Sequence, residues 1–152
     1  MRRLVPFCLL VSSLVAVASA SAPRSDNEVF YCGGETTNAV VTLYFERLEA
    51  ALAGSGPSSR FNRFVADRFS VTDASGKVLW FTLKDFNSIT PGRITSEEWQ
   101  HIIDRGPARL EDAGWRGCFM DHGKVWFETD KKSGFKLRSI NRDMDWADAY
   151  DR

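Results

Sequence analysis

The 152-residue chain is short of several things, and each shortage narrows what it can do. There are only two histidines and three cysteines, and with two of the cysteines expected to be bridged a zinc site lacks ligands. Charge of one sign is not in excess, since 20 basic residues balance 20 acidic ones. A nucleic-acid binder needs a basic stripe, and none runs through this sequence. No apolar run reaches the roughly 20 residues that a bilayer core requires. The cysteines form no Cys-x-x-Cys motif, so a redox-active thiol pair has no support. No glycine-rich loop precedes a helix in the context that cradles phosphate. Asn141, Asp143 and Asp145 imitate the start of a calcium loop, but Trp146 stands where its glycine belongs and Arg152 where its glutamate belongs. The expectation is a chain without metal or cofactor, and repeats and low-complexity segments are missing too.

What is present begins at the first residue. Arg2 and Arg3 precede an apolar run from Leu4 to Val17, and Ala18-Ser19-Ala20 follows with small side chains. This is the pattern of an export signal over residues 1–20, cleaved after Ala20. Removing it leaves 18 basic against 20 acidic residues, a formal charge of minus two, and takes Cys8 away. Cys32 and Cys118 remain, and an even pair in an exported chain most economically forms a disulfide. The alternative is two buried free thiols. The expected location is periplasmic or secreted, with no membrane insertion after cleavage and no nucleic-acid partner. About 130 residues are left, a common size for one domain.

Residues 21–35 read as a polar N-terminal extension, bent by Cys32-Gly33-Gly34. Thr36 or Thr37 can cap a helix in which Val41, Tyr44, Phe45, Leu48 and Leu52 share helical spacing, and Gly54 ends it. Ser59 can cap a shorter helix carrying Phe61, Phe64 and Val65. Strand periodicity then appears at Phe69 and Val71 and over Val78 to Phe81, about a turn at Asp73-Ala74-Ser75-Gly76. The segment Lys84 to Arg93 is undecided. Thr95-Ser96-Glu97-Glu98 has the spacing of a capping box before Trp99, Ile102 and Ile103. Trp115 to Met120 and Lys124 to Glu128 read as a hairpin about Asp121-His122-Gly123, and Phe135 to Ile140 as a third strand. The domain would span residues 36–141, with a polar tail over 142–152.

Helices first and hairpin-linked strands last make an α+β domain, with N-terminal helices packed on a curved antiparallel sheet. The order resembles the nuclear transport factor 2-like superfamily, with its cystatin-like arrangement. That resemblance is carried by Gly117-Cys118-Phe119-Met120, Gly123-Lys124-Val125-Trp126-Phe127 and Lys136-Leu137-Arg138-Ser139-Ile140-Asn141. It implies a cone-shaped fold in which helices and sheet enclose a pocket. It fixes a place for a site, not a chemistry.

No catalytic residue can be assigned. His122 and Asp121 fall where turn chemistry is expected, and His101 should point away from the face shared by Trp99 and Ile102. The candidates for lining a pocket are aromatic: Tyr44, Trp80, Trp99 and Trp126. Core or dimer packing competes for each of them, since aromatics dominate cores and interfaces alike. The favoured function is an exported noncatalytic module binding a small apolar ligand, with a homodimer through the sheet as a further expectation. The alternatives are a small pocket enzyme acting on an apolar substrate and an exported inhibitor or immunity protein. A buried carboxylate or histidine facing into the pocket would separate enzyme from binder.

Overall fold

The structure is a computed structural model and describes residues 25–86 and 93–146. The expected signal segment, residues 87–92 within the undecided stretch, and the end of the tail lie outside the described residues.

Thr37, rather than Thr36, caps α1 (Asn38–Ala53), its hydroxyl accepting from the Val40 amide at 3.3 Å. Thr36 instead turns its side chain inward and is buried. A hairpin of β1 (Val29–Tyr31) and β2 (Glu35–Thr37) occupies the stretch expected to be irregular. Its strands are three residues each, too short for periodicity to register. The second expected helix is a 3-10 segment, Ser58–Phe64, preceded by Pro57 rather than capped by Ser59. Val65 already belongs to β3 (Val65–Thr72), which turns at Asp73 into β4 (Val78–Thr82). The Asp73 carboxylate accepts from the Ser75 and Lys77 amides and fixes that turn. The capping box forms as its spacing predicts, opening α2 (Ser96–Arg105). The chain then makes β5 (Glu111–Asp112), β6 (Cys118–Met120), β7 (Val125–Asp130) and β8 (Gly134–Asn141).

The architecture is α+β, but the sheet is mixed rather than antiparallel. Six strands lie in the order β4-β3-β8-β7-β6-β5, and β3 runs parallel to β8. The reason is connectivity: the β3–β4 hairpin is separated from the last four strands by α2, and this long excursion lets β3 dock beside β8 in the same direction.

Register divides the sheet into two faces. Leu79, Val71, Ile140, Val125 and Met120 pair across five strands, and the last four are fully buried. The neighbouring row is Trp80, Ser70, Ser139, Trp126, Phe119 and Glu111, which by strand alternation points to the other side. The first face carries the core. Tyr44 of α1 meets Phe64, Phe127 and Phe135 edge-on at centroid distances of 5.4, 6.0 and 5.0 Å, and Trp99 of α2 stacks on Phe61 at 5.3 Å.

Cys32 and Cys118 are joined in a disulfide, with Cα atoms 4.9 Å apart across 86 positions of sequence. Both are buried. Beside them Gly117 has φ +113°, and a Cβ there would stand 2.2 Å from the Phe127 carbonyl oxygen. The backbone can approach this closely only without a side chain. Gly117→Ala should therefore cost roughly 3 kcal/mol or more in urea unfolding. Gly76→Ala, also at positive φ but with open space around it, should cost only about 1 kcal/mol. Equal costs would show that the close approach contributes nothing.

Candidate functional site

Two clefts abut along the line where α1 passes the β7–β8 turn. The wider, about 920 Å³, is walled by Val29 and Tyr31 of β1, by Gly33 to Thr37, and by Thr129 to Lys131, with Val40, Gly134 and Phe135 completing it. The narrower, about 280 Å³, lies between α1 and the 3-10 segment. Val40, Gly134 and Phe135 line both. Helical spacing explains the α1 contribution: Val40, Leu43, Tyr44 and Arg47 fall at i, i+3, i+4 and i+7 and make one stripe.

Apolar exposure is concentrated here. Among the described residues, four of the seven exposed large apolar side chains (Val29, Tyr31, Val40 and Leu43) line these two clefts. Exposed apolar groups scattered singly need no explanation, but a contiguous group marks a contact site. Beneath the wider cleft, the hydroxyls of Thr36 and Thr129 are buried and find no hydrogen-bond partner among the described residues.

The four aromatic candidates do not converge on one cavity. Tyr44 is buried, and its hydroxyl donates to the Phe64 carbonyl at 2.9 Å. Burial pushes its phenol well above the usual tyrosine range, so it stays neutral. Its ring forms part of the floor of the narrower cleft. Trp99 is fully buried against Phe61. Trp80 and Trp126 share the outer row of the sheet. Trp80 is 52% exposed, with the Arg68 guanidinium 5.1 Å from its ring, while half-buried Trp126 donates its indole N–H to the Gly123 carbonyl at 2.8 Å.

A buried carboxylate does exist, though not in the clefts. Asp121 has no solvent exposure and a backbone φ of +52°, followed by His122 at +55°. Its carboxylate lies 3.3 Å from Arg105 Nε and accepts no hydrogen bond among the described residues. Burial raises its pKa, opposed by Arg105 first and then by His122, His101 and Lys124. Lys124 is buried as well, which lowers its pKa. Its ammonium donates to the carbonyls of Asn141 (3.1 Å) and Met144 and sits 4.8 Å from the Trp146 ring. Trp146 stacks in turn on His101 at 4.6 Å. His101, expected in solvent, is thus partly covered by the residues after β8. Asp121 reads as an ordinary turn residue because Asp-His-Gly is turn composition, and burial of its carboxylate leaves no trace in that pattern. No group of three or more His, Cys, Asp or Glu side chains that could hold a metal occurs among the described residues.

The tail is tied down by one further pair. Arg142 donates through Nε and Nη2 to the two Glu98 oxygens at 2.7 and 3.0 Å, while Glu98 also accepts from the Thr95 amide at 2.8 Å. Burial of Glu98 opposes its ionisation, but the Arg142 and Thr95 bonds together outweigh it and hold the carboxyl below its usual range. The unfolded chain binds this proton more tightly than the folded one. The pair's stabilisation is therefore complete above the ordinary carboxylate range and is lost as pH falls through the depressed value. Glu98→Gln keeps the capping geometry and removes the charge. It should cost about 2 kcal/mol in urea unfolding at about pH 7, with the gap closing as the pH falls below the ordinary carboxylate range and through the depressed value. Asp121, whose raised value works in the opposite direction, is common to both proteins and cancels in the difference. A gap that persists in acid would contradict this account.

No family model matches the chain, and neither a curated protein nor a solved structure does.

Proposed function

We propose that this chain is an exported, noncatalytic binding module that takes a small, largely apolar ligand in the twin clefts between α1, the β1–β2 hairpin and the β7–β8 turn. The observation that carries this is the gathering of Val29, Tyr31, Val40 and Leu43, exposed to solvent, around these two depressions. Their volumes of about 920 and 280 Å³ are comparable with those of small-molecule sites. The titratable groups there support binding over catalysis. In the wider cleft, the Asp130 carboxylate is spent on the Lys132 and Ser133 amides of its own turn, and Glu35 is exposed. Asp121 and both histidines line neither cleft.

Export rests on the segment before Ser21 and on the bond between the two cysteines that would remain after its removal. After the β1–β2 hairpin, the order of a long helix, a short helical segment, β3 and β4, α2 and then antiparallel strands resembles that of the nuclear transport factor 2-like superfamily, which has a single strand where this chain has a hairpin.

A neutral apolar dye, N-phenyl-1-naphthylamine, tests the cleft. Val40→Asp places a charge where the two depressions meet and, on an exposed site, should change stability by no more than about 0.5 kcal/mol. Fluorescence enhancement by the parent protein should be lost in the variant. Undiminished enhancement would remove the clefts from the account.

A second reading, self-association through the sheet, is favoured by the outer row. Trp80 and Val78 are more than half exposed, and Trp126 and Phe119 stand in the same row beyond Ser70 and Ser139. Under this reading, light scattering after size exclusion gives the parent twice the mass of the chain, and Trp80→Glu gives a single chain. A monomeric parent would end it.

A further inference from the structure

The two clefts differ in charge as well as width. Narrow-cleft walls carry three cations: Arg47 from α1, Arg63 from the 3-10 segment and Lys136 from β8. No acidic side chain lines this end. Among the described residues neither Arg47 nor Arg63 makes an ion pair. The Arg63 guanidinium lies over the Phe64 ring at 4.9 Å, and the Lys136 ammonium donates to the Arg63 carbonyl. These contacts hold two of the cations beside each other. Burial lowers the Lys136 pKa and Arg63 adds to this, while Asp67, nearby but outside the cleft lining, works against both. The wide cleft has the opposite rim, with Glu35 and Asp130 beside a single Lys131.

The apolar stripe of α1 joins the two. Val40 belongs to both clefts, Leu43 and Tyr44 continue into the narrow one, and Arg47 stands one turn further on. Together with Val29, Tyr31 and Phe135, this stripe makes an apolar path with a cationic end and an acid-rimmed end. An anionic group is attracted to the first and repelled from the second, so a ligand with one charged end has a single favourable orientation. A purely apolar ligand gains nothing from three cations, and a dianionic or polar ligand leaves the path from Val29 to Leu43 unused.

We infer that the clefts take a free single-chain anionic amphiphile, its anionic head held by Arg47, Arg63 and Lys136 and its alkyl chain laid along Val40, Phe135, Val29 and Tyr31. This rests on the clefts being the binding site. It adds the chemical class and direction of the ligand. Guanidinium pairs suit a carboxylate or phosphate oxygen pair through charge-assisted bonds.

The test uses dodecanoate and dodecanol, both monomeric in solution, as competitors of N-phenyl-1-naphthylamine on the full chain. Dodecanoate should displace the dye about tenfold more effectively than dodecanol. Arg47→Glu and Arg63→Glu, both at solvent-facing positions and checked by circular dichroism, should each abolish that preference and leave dodecanol competition unchanged. If dodecanol competes as well as dodecanoate, or both variants keep the preference, the anionic head is wrong while the cleft survives. If the parent does not bind the dye or either competitor, the cleft itself fails. Should the parent ignore dodecanoate yet float with phosphatidylglycerol vesicles in a manner lost in Arg63→Glu, the occupant is a membrane surface and the free amphiphile is overturned.

Discussion

The disulfide between Cys32 and Cys118 is the constraint on which the shape of the molecule depends. A two-stranded hairpin of three-residue strands is not stable by itself in water. β1–β2 is held because Cys32, which follows β1, is bonded to β6, and because backbone bonds gather around it. The Thr129 amide donates to the Cys32 carbonyl at 2.7 Å, and the Gly33 amide to the Gly114 carbonyl at 3.0 Å. In the chain-entropy model a cross-link of this span stabilises by roughly 4 to 5 kcal/mol. Close approach by backbone is the other condition. Gly117 lies against the Phe127 carbonyl, and Gly34 against that of Thr129, where a Cβ would come within 2.6 Å. The hairpin in turn forms one wall of the wider cleft, so the cleft exists only while this junction is intact.

Aromatic filling decides where else a ligand could go. Tyr44, Phe45, Phe64, Phe127 and Phe135 occupy the space between α1 and the last two strands. Edge-on and stacked rings pack to the density of a protein interior and leave little room between helix and sheet. On this side of the sheet, the two clefts open at the margin of this cluster, where α1 begins and the strands turn. There the same α1 stripe that fills the core at Tyr44 leaves Val40 and Leu43 uncovered. One helix face thus serves both packing and surface, divided by its position along the axis.

Those parts of the fold that rest on local chemistry were legible in the sequence. The capping box at Thr95–Glu98, the Asp73 turn, α1 with its buried stripe, and the alternation in β7 and β8 each follow from a few adjacent residues. The disulfide followed from counting the cysteines that an expected export signal would leave. Features made by distant residues were not legible. The parallel docking of β3 beside β8 depends on where α2 directs the chain, and β1–β2 is too short for its pattern to be distinguished from a loop. The clefts have no signature in any single segment of the sequence. Tyr44, Trp99, Trp80 and Trp126 stand out as large aromatics, whereas the exposed residues at the clefts are mostly aliphatic and acquire meaning only from being next to one another. Arg47, Arg63 and Lys136 are far apart in sequence, and each alone is an ordinary surface cation.

Asp121 shows why burial and strain do not by themselves indicate catalysis. A carboxylate without solvent, at positive φ, beside a buried lysine and two histidines, has the perturbations that active sites collect. A general base must nevertheless reach a substrate proton, and reach requires space in front of it. Arg105 occupies the neighbourhood of the Asp121 carboxylate, and Trp146 and Lys124 close the same end of the molecule. Among the described residues, Asp121, His101, His122 and Lys124 line neither of the two clefts. Space and titratable groups are thus held at different places in the fold, the first at the start of α1 and the second around the β6–β7 turn.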